Sequence, residues 1–204
     1  MLPRRTLAAA AAVALLALPG CTGDDDTTDG ATPSPDTATG PTPAATGEPE
    51  FTFGEADTTF LQQMAASHDQ AIDVARLVAE RSEQEDFRQL ATETIEFREA
   101  QLEEIAELAE SAEVTITPDD HATGGDAVVP DDEVAALERA GGSDFDVAAA
   151  ELLARLDEAA VVLSDATLEG AEHPEVVVLA IDAIDHVEPQ AETLRGWVAE
   201  WGGA

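Results

Sequence analysis

The sequence predicts an all-α protein: a four-helix bundle made of two tandem helical hairpins, preceded by an export signal and a disordered tether. Three observations carry that prediction. Apolar residues recur at three- and four-residue steps along four segments, the spacing of one buried helix face. The two hairpins align without gaps, Asp57 falling on Asp146 and Gln101 on Gln190, an offset of 89 residues. Aromatics make up only 4% of the chain while Ala and Glu abound, which favours helix.

The first 21 residues read as an export signal. Arg4 and Arg5 supply the positive start, and Leu7 to Leu18 is an unbroken apolar run. As a helix it reaches about 18 Å, short of the roughly 30 Å hydrocarbon core, so it is not a permanent span. The run ends in Leu18-Pro19-Gly20-Cys21, which resembles a bacterial lipobox with Cys21 as the lipidated residue. An ordinary signal with an incidental Cys is the alternative. The expected location is extracytoplasmic, on the cell membrane through the N-terminal lipid. Cys21 is the one Cys, so no intramolecular disulfide forms.

Residues 22–56 are rich in Thr, Pro, Gly, Asp and Ala and lack apolar periodicity. Such a segment buries too little to offset its ordering entropy and is expected to be a disordered tether. Its root-mean-square span is about 35 Å.

The folded part is expected over 57–204, with repeat one at 57–112, a connector at 113–145 and repeat two at 146–202. Phe60, Met64, His68, Ala71, Ala75 and Val78 form the first stripe, with Asp57 as its expected N-cap. A polar break at Ser82 to Asp86 separates it from a second stripe through Leu90, Ala91, Ile95, Leu102, Ile105 and Leu108. So short a break predicts an antiparallel pair. The connector holds Pro118, Gly124, Gly125, Gly141 and Gly142, with a short helix expected from Asp132 to Ala140. Leu153, Leu156, Ala160 and Leu163 mark the third stripe, and Val176, Leu179, Ala180, Ile184, Leu194 and Trp197 the fourth. Pro189 lies inside the last helix and is expected to kink it near Asp185. One hairpin leaves an apolar face wet; two copies bury both faces.

These residues carry a family resemblance. Asp57-Thr-Thr-Phe60 through Met64, Ser67-His68 and Ala71-Ile72 resembles the opening helix of the domain-of-unknown-function 305 family. Leu90-Ala91, Ile95 and Gln101-Leu-Glu-Glu104-Ile105 resemble its second helix. Asp131 to Asp146, with Leu137, Gly141 and Phe145, is similar to the segment introducing its second repeat, and Trp197 and Trp201-Gly202 also fit. The resemblance implies a ferritin-like four-helix bundle, exported, with some members linked to copper or other metal handling in the envelope. The family's usual mark is a His-His pair in the first helix of each repeat, near a Met. Here the first pair is Ser67-His68 and the second is Leu156-Asp157, while Met64 is matched by Leu153. Inherited metal binding is therefore in doubt.

A transition-metal site needs three or four converging N, S or O ligands. None of the four His has an acidic residue three positions earlier, where Ala65, Pro118, Gly170 and Ala183 stand, so the Glu-x-x-His signature of di-iron bundles is missing. Mature sulfur donors reduce to Met64 and the lipid-blocked Cys21. One constellation remains: His68, Asp157 and His186 share stripes that meet near mid-bundle, with Met64, Gln101 and Gln190 as supporting residues. They are the candidate ligands for a divalent metal ion. The competing reading makes the two His satisfied core or edge residues and Asp157 solvated. His121 and His173 read as a solvated loop residue and a helix-start residue. Asp119, Asp120, Asp126, Asp131 and Asp132 lack calcium-loop spacing.

The chain carries 44 acidic and 9 basic residues, net -35. That field disfavours nucleic acid and anionic surfaces as partners and favours cations. No Gly-x-Ser-x-Gly and no phosphate-binding Gly-rich loop occurs, so no enzyme activity is expected. The expected function is a non-enzymatic, lipid-anchored envelope domain with degenerate metal-binding ancestry, for which binding or handling of a divalent, copper-like metal is one of two competing readings. The alternative is a structural or interaction protein that has lost its ligands.

Overall fold

The computed structural model describes residues 51–117 and 121–203. The expected export signal, Cys21 and the expected tether up to residue 50 lie outside the described residues. Four long helices and one short one form the fold: α1 (Glu55–Arg81), α2 (Glu85–Ser111), α3 (Asp131–Arg139), α4 (Ser143–Leu168) and α5 (Pro174–Trp201). A 3-10 segment, His121–Ala127, turns at Gly125, whose φ of 58° suits glycine. No strand occurs among the described residues. No described helix is long and apolar enough to cross a membrane.

Each hairpin closes on itself, α1 on α2 and α4 on α5, and α1 packs against α4. Alanines at 65, 71, 75, 150, 154 and 160 are fully buried and let the helices approach closely. The 3-10 segment packs along α1 and reaches α4, and α3 lies on α4, so the connector covers the α1/α4 side. It is fastened by Gln70, whose amide donates to the Val129 carbonyl at 2.8 Å and accepts the Val129 N–H at 2.7 Å. The fourth side, α2 against α5, touches no more than the α1/α5 diagonal does.

The start of α1 differs from expectation. The helix begins at Glu55 with Gly54 as N-cap, and Asp57 sits at its third position. The Asp57 carboxylate accepts the Gly54 N–H at 2.7 Å and also the N–H groups of Glu172 at 3.2 Å and His173 at 3.3 Å. One side chain thus satisfies the start of α1 and the loop before α5. The end of the expected tether is also ordered: Phe53 stacks on His173 at 4.0 Å. His173 caps α5 and Pro174 is its first residue, where a missing N–H costs nothing. Helix α5 runs unbroken through Pro189.

The apolar core divides into two clusters. One holds Phe87, Leu137, Phe145, Leu153 and Leu194, flanked by Trp197 and Trp201. The other holds Phe60, Leu61, Met64, Ile105, Leu179 and Val187. Between them, at mid-height on all four long helices, lies a buried polar layer.

Candidate functional site in the polar layer at mid-bundle

Each long helix contributes to this layer. α1 brings His68, α2 brings Thr94, Arg98 and Gln101, α4 brings Asp157, and α5 brings Gln190. His68, Arg98 and Asp157 are wholly buried. A guanidinium can only donate, so His68 Nδ1 accepts from Arg98 Nη1, at 2.6 Å. The ring proton therefore sits on Nε2, which donates to Gln101 Oε1 at 2.7 Å. The other arm of Arg98, Nη2, pairs with Asp157 Oδ1. The result is a chain, Asp157–Arg98–His68–Gln101, through the centre of the bundle. Beside it Gln190 donates to Thr94 Oγ1 at 2.9 Å.

The electrostatics follow from burial. Desolvation, then the Arg98 charge, hold the His68 imidazole well below its ordinary value, so it is neutral. Burial pushes the Asp157 carboxyl up to about 7, against the pull of Arg98. Burial also lowers Arg98, against the pull of Asp157, yet a guanidinium stays protonated in a protein. Asp157 Oδ2 and Arg98 Nε have no hydrogen-bond partner.

The remaining candidates sit apart from this chain. His186 is half-buried and lies face to face on Phe97 at 3.5 Å, while His68 meets the same ring edge-on at 6.5 Å. His186 is also lowered, by burial and then by Arg98. Met64 packs in the apolar core. His68, Asp157 and His186 do not converge: Arg98 stands between the first two, and Phe97 lies against both imidazoles. Among the described residues, no three His, Cys, Asp or Glu side chains are placed to hold one ion. His121 is not simply solvated, because it contacts Asp131 at 3.1 Å and Asp69 at 3.3 Å.

The model of a domain of unknown function, DUF305, matches residues 57–198, most of the chain. The protein belongs to the DUF305 family. No curated protein matches it significantly. Among solved structures it is similar to a DUF305 fragment from Deinococcus radiodurans, 22% identical with a TM-score of 0.64, covering 73% of this chain and 99% of that one. A DUF305 protein from Streptomyces coelicolor is 20% identical with a TM-score of 0.65, covering 72% and 94%. CopM in its Cu(I)-bound form is 21% identical with a TM-score of 0.60, covering 71% and 96%. At these identities the likeness establishes the DUF305 fold, an all-α bundle.

The duplication has a structural consequence in this DUF305 protein. His68 and Asp157 occupy equivalent positions of the two repeats, and Arg98, whose repeat equivalent is Val187, joins them. A metal ion does not fit this centre. His68 Nδ1 is taken by Arg98 and Nε2 by Gln101, and Met64 is the one sulfur donor among the described residues. Arg98 was missed from sequence. The signal was present: it interrupts the α2 stripe of Ala91, Ile105 and Leu108 at a core position, and a charge on an apolar stripe demands a partner.

Proposed function

We propose that this DUF305 protein is a non-enzymatic interaction module of the extracytoplasmic space, tethered by a lipid on Cys21, whose bundle centre is held by its own cation. One observation carries the reading: the Arg98 guanidinium bonds both His68 and Asp157, the equivalent residues of the two repeats. The apolar run ending at Cys21 supports the tether, and the similar Streptomyces coelicolor structure is of a protein classed as secreted. Calorimetric titration of the full chain with Zn(II), Ni(II) and Cu(II) tests it. The expected result is no stoichiometric uptake that depends on His68 or His186. Stoichiometric binding abolished in a His68→Ala, His186→Ala variant overturns it.

A metal-handling role is the second reading. It is favoured by the fold shared with CopM, whose structures include Cu(I)-, Cu(II)- and Ag-bound forms. Elemental analysis of native-purified protein separates the two: one metal ion per chain supports handling, and none supports the interaction module.

A further inference from the structure

The seam between α2 and α5 is bridged by the Thr94–Gln190 hydrogen bond and the Phe97–His186 stack, and from there toward Ser111 and Glu175 it is hollowed into a groove. The connector packs on α1 and α4, and α2 and α5 approach each other far less closely than the two helices of either hairpin do. Two hollows of about 370 and 390 Å³ lie along it and share Glu104, so they form one trough. On α5 the trough runs from Glu175 to His186, which at 1.5 Å per residue is on the order of 16 Å, three helical turns.

Its apolar lining is Phe97, Ala100, Leu108, Val178 and Leu179, with Gln101 and Ser111 alongside. Val178 is 56% exposed, high for a branched aliphatic side chain, and Ile181 nearby is 43% exposed. Its rims are acidic on both sides, with Glu104 and Glu107 on α2 facing Glu175, Asp182 and Asp185 on α5. No Arg lines either hollow. His186, at one end, does not offset the acids, because burial and then Arg98 keep it neutral.

We propose that the α2/α5 trough binds a cationic amphipathic helix of a partner protein, apolar side chains on the floor and Lys or Arg between the acidic rims. An apolar strip flanked by carboxylates along three turns matches a helix with anchors at i, i+3, i+4 and i+7 and basic flanks. Bare cations would gather at the rims without using Val178 or Leu179, and an anionic membrane surface is repelled. The proposal rests on the interaction reading above and names the class of partner.

The test uses the full chain and a fluorescein-labelled Leu/Lys peptide of amphipathic helical pattern, with a scrambled peptide of equal composition as control. Fluorescence anisotropy is expected to show the patterned peptide binding at least tenfold tighter than the scrambled one. Val178→Glu and the pair Glu104→Lys, Asp182→Lys are each expected to weaken it at least tenfold. Glu138→Lys, a charge reversal on the exposed side of α3, is expected to change it less than twofold. Circular dichroism confirms that each variant folds. Equal affinity for both peptides, or equal weakening by Glu138→Lys, overturns the proposal by reducing it to bulk charge. Metal uptake lost in the His68→Ala, His186→Ala variant would instead sink the functional reading, so the two failures are distinguishable.

Discussion

Arg98 and Asp157 form a wholly buried ion pair linking α2 to α4, two helices that are otherwise diagonal in the bundle. Pairing offsets two desolvation costs, so the pair's net contribution is small while the loss of either partner is severe. Arg98→Ala is expected to cost about 3–5 kcal/mol by leaving a buried carboxylate alone. Arg98→Met with Asp157→Leu together is expected to fall within about 1–2 kcal/mol of the parent. Urea denaturation of the parent, Arg98→Met, Asp157→Leu and the double variant in a double-mutant cycle measures the coupling; a simple sum of the single effects would refute it.

The neutral state of His68 has a pH signature. Its folded pKa is depressed while its unfolded value is ordinary, so below about pH 6.5 the unfolded chain takes up a proton that the folded chain refuses. Stability from this group is complete above that pH and is lost as pH falls toward the depressed value. His68→Gln is expected to unfold less steeply between pH 6.5 and 4 than the parent. Nitrogen-15 NMR at pH 6 is expected to find His68 neutral and protonated on Nε2; a protonated Nδ1 would contradict the Arg98 contact.

Asp57 and Asp146 occupy equivalent positions but not equivalent roles. Asp57 gathers three backbone N–H groups, whereas Asp146, also buried, has an unpartnered Oδ1. Hydrogen bonds to a charged group are each worth about 1.5–3 kcal/mol. Asp57→Ala is therefore expected to lower stability by at least about 2 kcal/mol, and Asp146→Asn by less than about 1 kcal/mol. Thermal melts of the two variants decide this, and equal losses would show that the caps are interchangeable.

His121 joins the connector to α1 and α3. Partial burial lowers its pKa, but the hydrogen bonds and charges of Asp131 and Asp69 outweigh that and raise it. Its stabilisation is present in full below about pH 6.5 and is lost as pH rises through the raised value. The parent is expected to exceed His121→Ala by about 0.2–1 kcal/mol at pH 5.5, and by less at pH 9. A pH-independent difference would assign His121 to packing alone.

The helices were legible because burial on one face imposes a period. The stripe from Phe60 to Val78 lies within α1 and is buried at every apolar position named. The break at Ser82 and the short helix before Gly141 were legible from turn chemistry for the same local reason. The start of α1 was misplaced because Asp57 caps from within the helix, and its further partners are 115 and 116 positions away. His68, Asp157 and Gln101 are joined through Arg98, a link that helical periodicity does not reveal.

By itself the sequence determined the amphipathic hairpins, their duplication and the acidic surface, since each depends on local pattern or on composition. The tertiary structure decided that Arg98 meets both His68 and Asp157. It also decided that the connector packs on α1 and α4, while α2 and α5 meet through the Thr94–Gln190 hydrogen bond and the Phe97–His186 and Phe87–Trp197 ring contacts. Periodicity fixes which face of a helix turns inward. Which side chain on that face reaches which partner depends on helix rotation and height, and those are set by packing across residues far apart in the chain.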